Sequence, residues 1–132
     1  MARWLFKTEP SAYSFERLVK ERKARWDGVA NPVAVKNLRA VKKGDEILIY
    51  HTGDVRACVG LARATGDGMP DPKDAKLAVV DIEAGAPLAK PVTLAAVKAN
   101  ATFRDFALVR QGRLSVMAVP DEIWDELISM SR

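Results

Sequence analysis

The chain of 132 residues predicts a single α+β domain, and three observations carry that expectation. Short apolar strands mix with short amphipathic helices at irregular intervals, without the repeated βαβ rhythm that builds a doubly wound sheet. Hydrophobic residues make up 48% of the chain and the mean hydropathy is −0.09, the balance of a globular protein that buries a core. No repeat and no linker composition interrupts it, so residues 1–132 read as one folding unit, long enough to need no staples.

Trp4-Leu5-Phe6-Lys7 reads as a strand whose continuous apolar start is covered on both faces, and Thr8-Glu9-Pro10 ends it. Ser14 is placed as the N-cap of a helix through about Arg22, with Phe15, Leu18 and Val19 on its apolar side. The basic run that follows is read as helical up to the loop Trp26-Asp27-Gly28-Val29-Ala30-Asn31-Pro32. Asp-Gly permits a sharp reversal there, because Gly tolerates positive φ, so the loop can hold Trp26 and Asn31 in a fixed relation. Pro32 suits the first turn of a second helix, with Val33, Val35, Leu38 and Val41 as its apolar stripe and Gly44 as its stop.

Glu46 to Thr52 and Arg56 to Thr65 read as a hairpin around Gly53-Asp54, with Gly60 marking a bulge or a barrel bend. Gly66 to Lys73 reads as a loop, Leu77 to Ile82 as a strand and Gly85 to Pro91 as an extended connection. Thr93 caps a short helix through Lys98, and Ala99 to Phe106 holds another helical turn. Leu114 to Val119 returns as a strand, and Pro120-Asp121-Glu122 opens a last helix whose Ile123, Leu127 and Ile128 point inward. A small closed or partly closed barrel would remove the exposed edges of such short strands.

Charge and the rare residue types narrow the function. The net charge is +4 and the isoelectric point about 9.4, with Lys20, Arg22, Lys23, Arg25, Lys36, Arg39, Lys42 and Lys43 gathered in the second quarter. Such a cluster suits a polyanion, or else forms a solvated helical face. Cys58 is the single cysteine and lies in an apolar strand pattern, which excludes an internal disulfide and a CxxC metal site and favours a buried thiol. His51 is the single histidine, so a zinc site lacks its usual ligands, and no pattern demands a cofactor. The apolar runs are too short to span a bilayer and the first residues lack a secretory pattern, so the chain is expected to be cytoplasmic and without a membrane role; its oligomeric state is open, with a monomer favoured.

Several separated stretches, in order and over nearly the whole length, together resemble the EVE domain family. They are Trp4-Leu5-Phe6-Lys7-Thr8-Glu9-Pro10, Tyr13-Ser14, Trp26-Asp27-Gly28-Val29 with Asn31, Gly44-Asp45, Tyr50-His51 and Arg113-Leu114-Ser115-Val116. The resemblance implies a PUA-like fold, a small mixed β-barrel flanked by short helices and related to the YTH and ASCH groups. It implies a non-enzymatic domain that binds a nucleobase, modified in the family's reading, in DNA or RNA. The ligand-binding residues expected on this basis are Lys7, Thr8, Glu9, Pro10, Tyr13, Trp26, Asn31, His51, Arg113 and Ser115. An aromatic ring would stack on a flipped base, Thr8, Asn31 and Ser115 would read its edge, and Arg113 or Lys7 would hold a phosphate.

The chain departs from the family pattern at Ala30, Pro32-Val33 and Val35, where Arg, Tyr-Gln and Arg are usual; Thr8 replaces a Ser, and Gly112 stands where Ser is common. The Trp26 loop therefore carries two fewer cations than the pattern. Two other functions stay open at this stage. His51, with Glu9, could act as general acid and base on a nucleotide or RNA substrate, although no activated nucleophile or phosphate cradle accompanies them. A protein-interaction module with a degenerate pocket is the other. Trp26 itself reads either as a packing aromatic or as a stacking platform, and Trp4 and Trp124 as core.

Overall fold

A computed structural model describes residues 1–132. In chain order the elements are β1 (Arg3–Thr8), α1 (Phe15–Glu21), β2 (Lys23–Trp26), α2 (Pro32–Ala40), β3 (Glu46–His51), β4 (Ala57–Ala64), β5 (Met69–Asp71) and β6 (Asp74–Thr93). There follow α3 (Leu94–Lys98), a 3₁₀ turn (Ala101–Phe103), α4 (Ala107–Arg110), β7 (Val116–Ala118) and α5 (Asp121–Met130). All seven strands join one sheet in the order β2-β6-β4-β3-β1-β7, with β5 added along β6.

β1 and β3 pair in parallel, Leu5 opposite Leu48, and the crossover between them contains α1, β2 and α2. A parallel pair needs such a long connection, and both partners are buried on both faces, as the apolar runs predict. The other pairings are antiparallel. Gly60 sits at a register shift against both neighbouring strands. A Cβ there would collide with the Phe15 ring, so the glycine lets α1 lie directly on the sheet.

The α+β class is as expected; the sheet is an open path, so of the closed or partly closed barrel that was expected the closed form is not present. Its ends are β2 and β7, and α2 lies against β6 and β7. Asn37 Nδ2 donates to the Val116 carbonyl on β7 at 2.8 Å, while the Arg39 guanidinium donates to the Ala75 carbonyl on β6 at 2.9 Å. Side chains of one helix thus satisfy backbone carbonyls on two strands and tie β7 to the start of β6.

Four local expectations are corrected. Lys23–Trp26 is strand β2 and not the continuation of a helix: α1 stops at Glu21, and Arg22 takes a left-handed φ of 69° that breaks it. The connection from Gly85 to Pro91 is part of the 20-residue β6, and Met69–Asp71, expected as loop, forms β5. Gly44, with φ 92°, serves the turn into β3; α2 has already ended at Ala40, capped by Val41.

Two buried polar residues pin the sheet to its surroundings. Asp45 accepts from Trp4 Nε1 at 2.9 Å, from the Lys42 amide at 2.9 Å and from the Ala2 amide at 3.1 Å. His51 Nε2 accepts from the Phe15 amide at 3.0 Å, which fixes the first turn of α1 to the end of β3. Cys58 is buried in β4, and burial pushes its thiol up to about 12, so it stays protonated and unreactive at neutral pH. No helix is long and apolar enough to cross a membrane.

Candidate functional site

Three chain reversals meet at one end of β1. After Thr8 the backbone turns so that the Ala12 and Tyr13 amides both donate to the Glu9 carbonyl at 2.9 Å, and the Thr8 hydroxyl donates to the Tyr13 carbonyl at 2.7 Å. Ser14 then caps α1 by accepting from the Arg17 amide at 3.1 Å. Tyr13 is thereby held between a strand end and a helix start. On the opposite side Trp26 closes β2, Gly28 turns the chain at φ 73°, and Asn31 Oδ1 caps α2 by accepting from the Val33 and Ala34 amides at 3.0 and 3.1 Å. Ser115 completes the ring of elements, its carbonyl accepting from the Lys7 amide at 2.8 Å.

These segments enclose a cavity of about 490 Å³ lined by Lys7, Thr8, Glu9, Ala12, Tyr13, Arg25, Trp26, Asp27, Gly28, Val29, Ala30 and Ser115. The volume is that of a small-molecule site. Trp26 packs on Phe6 with ring centroids 5.4 Å apart and a tilt of 41°, and Tyr13 stands edge-on to it at 6.2 Å and 88°. Two rings at a right angle make a corner, with one wall to stack against and one to close an edge. Trp26 Nε1 bonds no other group of the protein, and since no buried polar side-chain atom is left unpaired, this N–H reaches solvent. The hydroxyl of Ser115 and the carboxylate of Asp27 are likewise free to meet a ligand.

The charged groups around the cavity are restrained. Lys7 Nζ donates to the Gly112 carbonyl at 3.0 Å and lies 5.7 Å from the centre of the Tyr50 ring; burial holds its pKa below the usual lysine range. Arg25 grips Asp81 with two bonds of 2.8 and 3.1 Å, which raise the guanidinium and lower the carboxyl. Tyr13 donates to Glu21 at 2.7 Å beneath the Arg17 guanidinium, 5.0 Å from the ring centre. Burial first, and then this bond, push its phenol up to about 12, so Tyr13 presents a neutral ring at physiological pH.

Of the ten residues expected to bind a ligand, Lys7, Thr8, Glu9, Tyr13, Trp26 and Ser115 line this cavity together. Pro10, Asn31, His51 and Arg113 do not. Asn31 spends its side-chain oxygen on the helix cap, and Arg113 is exposed beside Gly112. His51 is buried with its Nε2 lone pair committed to Phe15, outside the cavity that Glu9 lines, so the acid–base pairing of these two has no geometric basis. Sequence reasoning missed Ala12 and Arg25, and it singled out the loop of Asp27, Gly28, Val29 and Ala30 without counting those four among the ligand-binding residues. The period-two alternation of exposed Lys23 and Arg25 with inward Ala24 and Trp26 was the available signal for Arg25, hidden by the density of positive charge.

Comparison with known proteins agrees with this architecture. No protein of curated function matches the chain by sequence. The solved structure of Rpa0253 from Rhodopseudomonas palustris is 39% identical, covers 99% of this chain and 93% of its own, and superposes with a TM-score of 0.94. Atu2648 from Agrobacterium tumefaciens is 35% identical over 99% of this chain and 93% of its own, also at 0.94. Human THYN1, solved in complex with DNA containing 5-methylcytosine, shares the fold at a TM-score of 0.91 and 23% identity, over 100% of this chain and 98% of its own. The EVE domain model matches residues 2–130, and over that span, nearly its full length, the chain belongs to the EVE domain family.

Proposed function

We propose that this protein binds nucleic acid without catalysis, by taking one unstacked base, modified cytosine first among the candidates, into the Trp26 cavity. The observation that carries the reading is the right-angled Trp26–Tyr13 corner with the Trp26 N–H, the Ser115 hydroxyl and the Asp27 carboxylate unpaired around it. Stacking on an aromatic side chain contributes about 1 to 3 kcal/mol per base, enough to offset the few kcal/mol that unstacking costs when the base is mispaired or single-stranded. A carboxylate can accept from the exocyclic amine of cytosine, and Ala12, Val29 and Ala30 supply apolar contact for a methyl group. The human protein's complex with DNA containing 5-methylcytosine supports nucleic acid as the partner of this fold.

The test is a fluorescence titration of the protein, and of Trp26→Ala and Ser115→Ala, with single-stranded and duplex oligonucleotides bearing plain, methylated or hydroxymethylated cytosine or methylated adenine. Binding should prefer one modified base and weaken about tenfold or more in Trp26→Ala, with circular dichroism showing that the variant is folded. An identical affinity for every base would refute the cavity as a reader.

A further inference from the structure

The Trp26 cavity has little net charge to offer. Lys7 and Arg25 are set there against Glu9 and Asp27, and Arg25 is already held by Asp81. A nucleotide presents its phosphate away from its base, so that anion must be met elsewhere. Other clefts are poorly suited to it. Beside α2, Lys36 and Lys76 share their cleft with Asp74, and Arg39 is spent on the Ala75 and Lys76 carbonyls. Beside β3, Arg63 lies with Glu46 and Glu83 and pairs with Glu83 at 2.7 Å.

A cleft of about 190 Å³ between the β3–β4 turn and helices α3 and α4 is different. Lys7, Arg56 and Lys98 line it with Thr52 and Tyr50, and no carboxylate does. Neither Arg56 nor Lys98 forms an ion pair within the protein. Arg56 also holds a left-handed φ of 46°, a conformation that strains a residue with a Cβ. Lys7 belongs to both cavities: it lines the base corner, and its half-buried ammonium has only a carbonyl and a ring for partners. An anion in the second cleft would give that desolvated charge its missing counterpart.

We infer that the Lys7–Arg56–Lys98 cleft is a phosphate site, and that it takes the phosphodiester adjoining the base held in the Trp26 cavity. The second half of this inference rests on the function proposed above. The nucleic-acid strand then crosses the protein surface past Lys7, its base on one side of that residue and its phosphate on the other.

The test uses Arg56→Gln, Lys98→Gln and the double variant, whose side chains are exposed and outside the base cavity. Binding of single-stranded oligonucleotides with plain and 5-methylated cytosine is followed across a range of salt. Each single variant should weaken low-salt binding by up to about fivefold. The double variant should lower the slope of log affinity against log salt by about 0.7, the contribution of one neutralised phosphate on a single strand. The preference for the methylated base, and the affinity for 5-methylcytidine nucleoside, which has no phosphate, should not change. An unchanged salt slope overturns the site.

Trp26→Ala separates the two assignments. If base preference is absent and Trp26→Ala alters nothing while the double variant still lowers the slope, the phosphate site stands and the base cavity falls. Inorganic phosphate, followed by the amide resonances of Arg56 and Lys98, identifies the source of the anion. Displacement of phosphate by the oligonucleotide is expected; phosphate that no oligonucleotide displaces would give the cleft to the free ion and overturn the phosphodiester assignment.

Discussion

Trp4 and Trp26 are almost equally buried, 6% and 7% exposed, and both stand in strands of one sheet, yet they do different things. Trp4 donates its indole N–H to Asp45, which also receives two backbone amides, so every polar atom of that corner is satisfied from within. Trp26 packs between Phe6 and Tyr13 and keeps its N–H free beside a cavity. Burial therefore does not separate a structural ring from one that can meet a ligand. The unspent hydrogen bond does, because a fold that needs a group for stability pairs it.

The largest effect should come from the satisfied corner. Asp45→Ala strands three donors at once and should cost about 3 to 5 kcal/mol in denaturant unfolding, leaving base preference intact; a loss below about 1 kcal/mol would break the contrast. The next sharpens it directly. Trp4→Phe should cost about 2 kcal/mol more than Trp26→Phe, because only the former leaves a buried carboxylate short of a donor. Ligand affinity should respond in the opposite order, falling only in Trp26→Phe. Equal stability losses would mean that the two rings are both structural.

His51 belongs with the satisfied group. His51→Ala should lower stability by about 2 kcal/mol through the orphaned Phe15 amide, and His51→Gln should recover part of it by offering an oxygen. A loss of ligand binding in the glutamine variant at unchanged stability would return His51 to the site. The smallest expected effect is at Tyr13. Spectroscopic titration should place its phenol at about 12, and Glu21→Ala should lower it only part of the way to 10.0, since burial is the first cause of the shift. The sign follows from the raised value: the folded state keeps the phenolic proton, so the stabilisation is whole below pH 10.0 and is lost as the pH rises through about 12. A midpoint at the ordinary value would show that Tyr13 is not fixed against Trp26.

Local chemistry was legible in the sequence wherever neighbours along the chain decide it. Ser14 and Thr93 cap the helices they were expected to cap, Gly28 and Gly53 take the positive φ that their turns require, and Pro32 opens α2. The parallel start of the sheet was visible in the unbroken apolar runs of β1 and β3. The errors fall where a distant partner overrules local preference. Gly85, Pro87 and Pro91 argue against a strand, yet pairing with β4 keeps the segment extended to Thr93. Lys23 and Arg25 looked like a helical face until pairing with Glu83 and Asp81 made them one edge of a strand.

By itself the sequence determined the α+β class, the capped helix starts, the turn that carries Trp26 and six of the residues that line one cavity, because propensity, capping and turn chemistry act over a few residues. Tertiary structure alone decided that α2 lies against β6 and β7, that His51 is spent on the Phe15 amide, and that Arg56 and Lys98 join Lys7 in a second cleft. Whether a polar side chain is free or committed depends on which groups, scores of residues away, the fold brings within hydrogen-bond distance. No spacing along a chain encodes that distance.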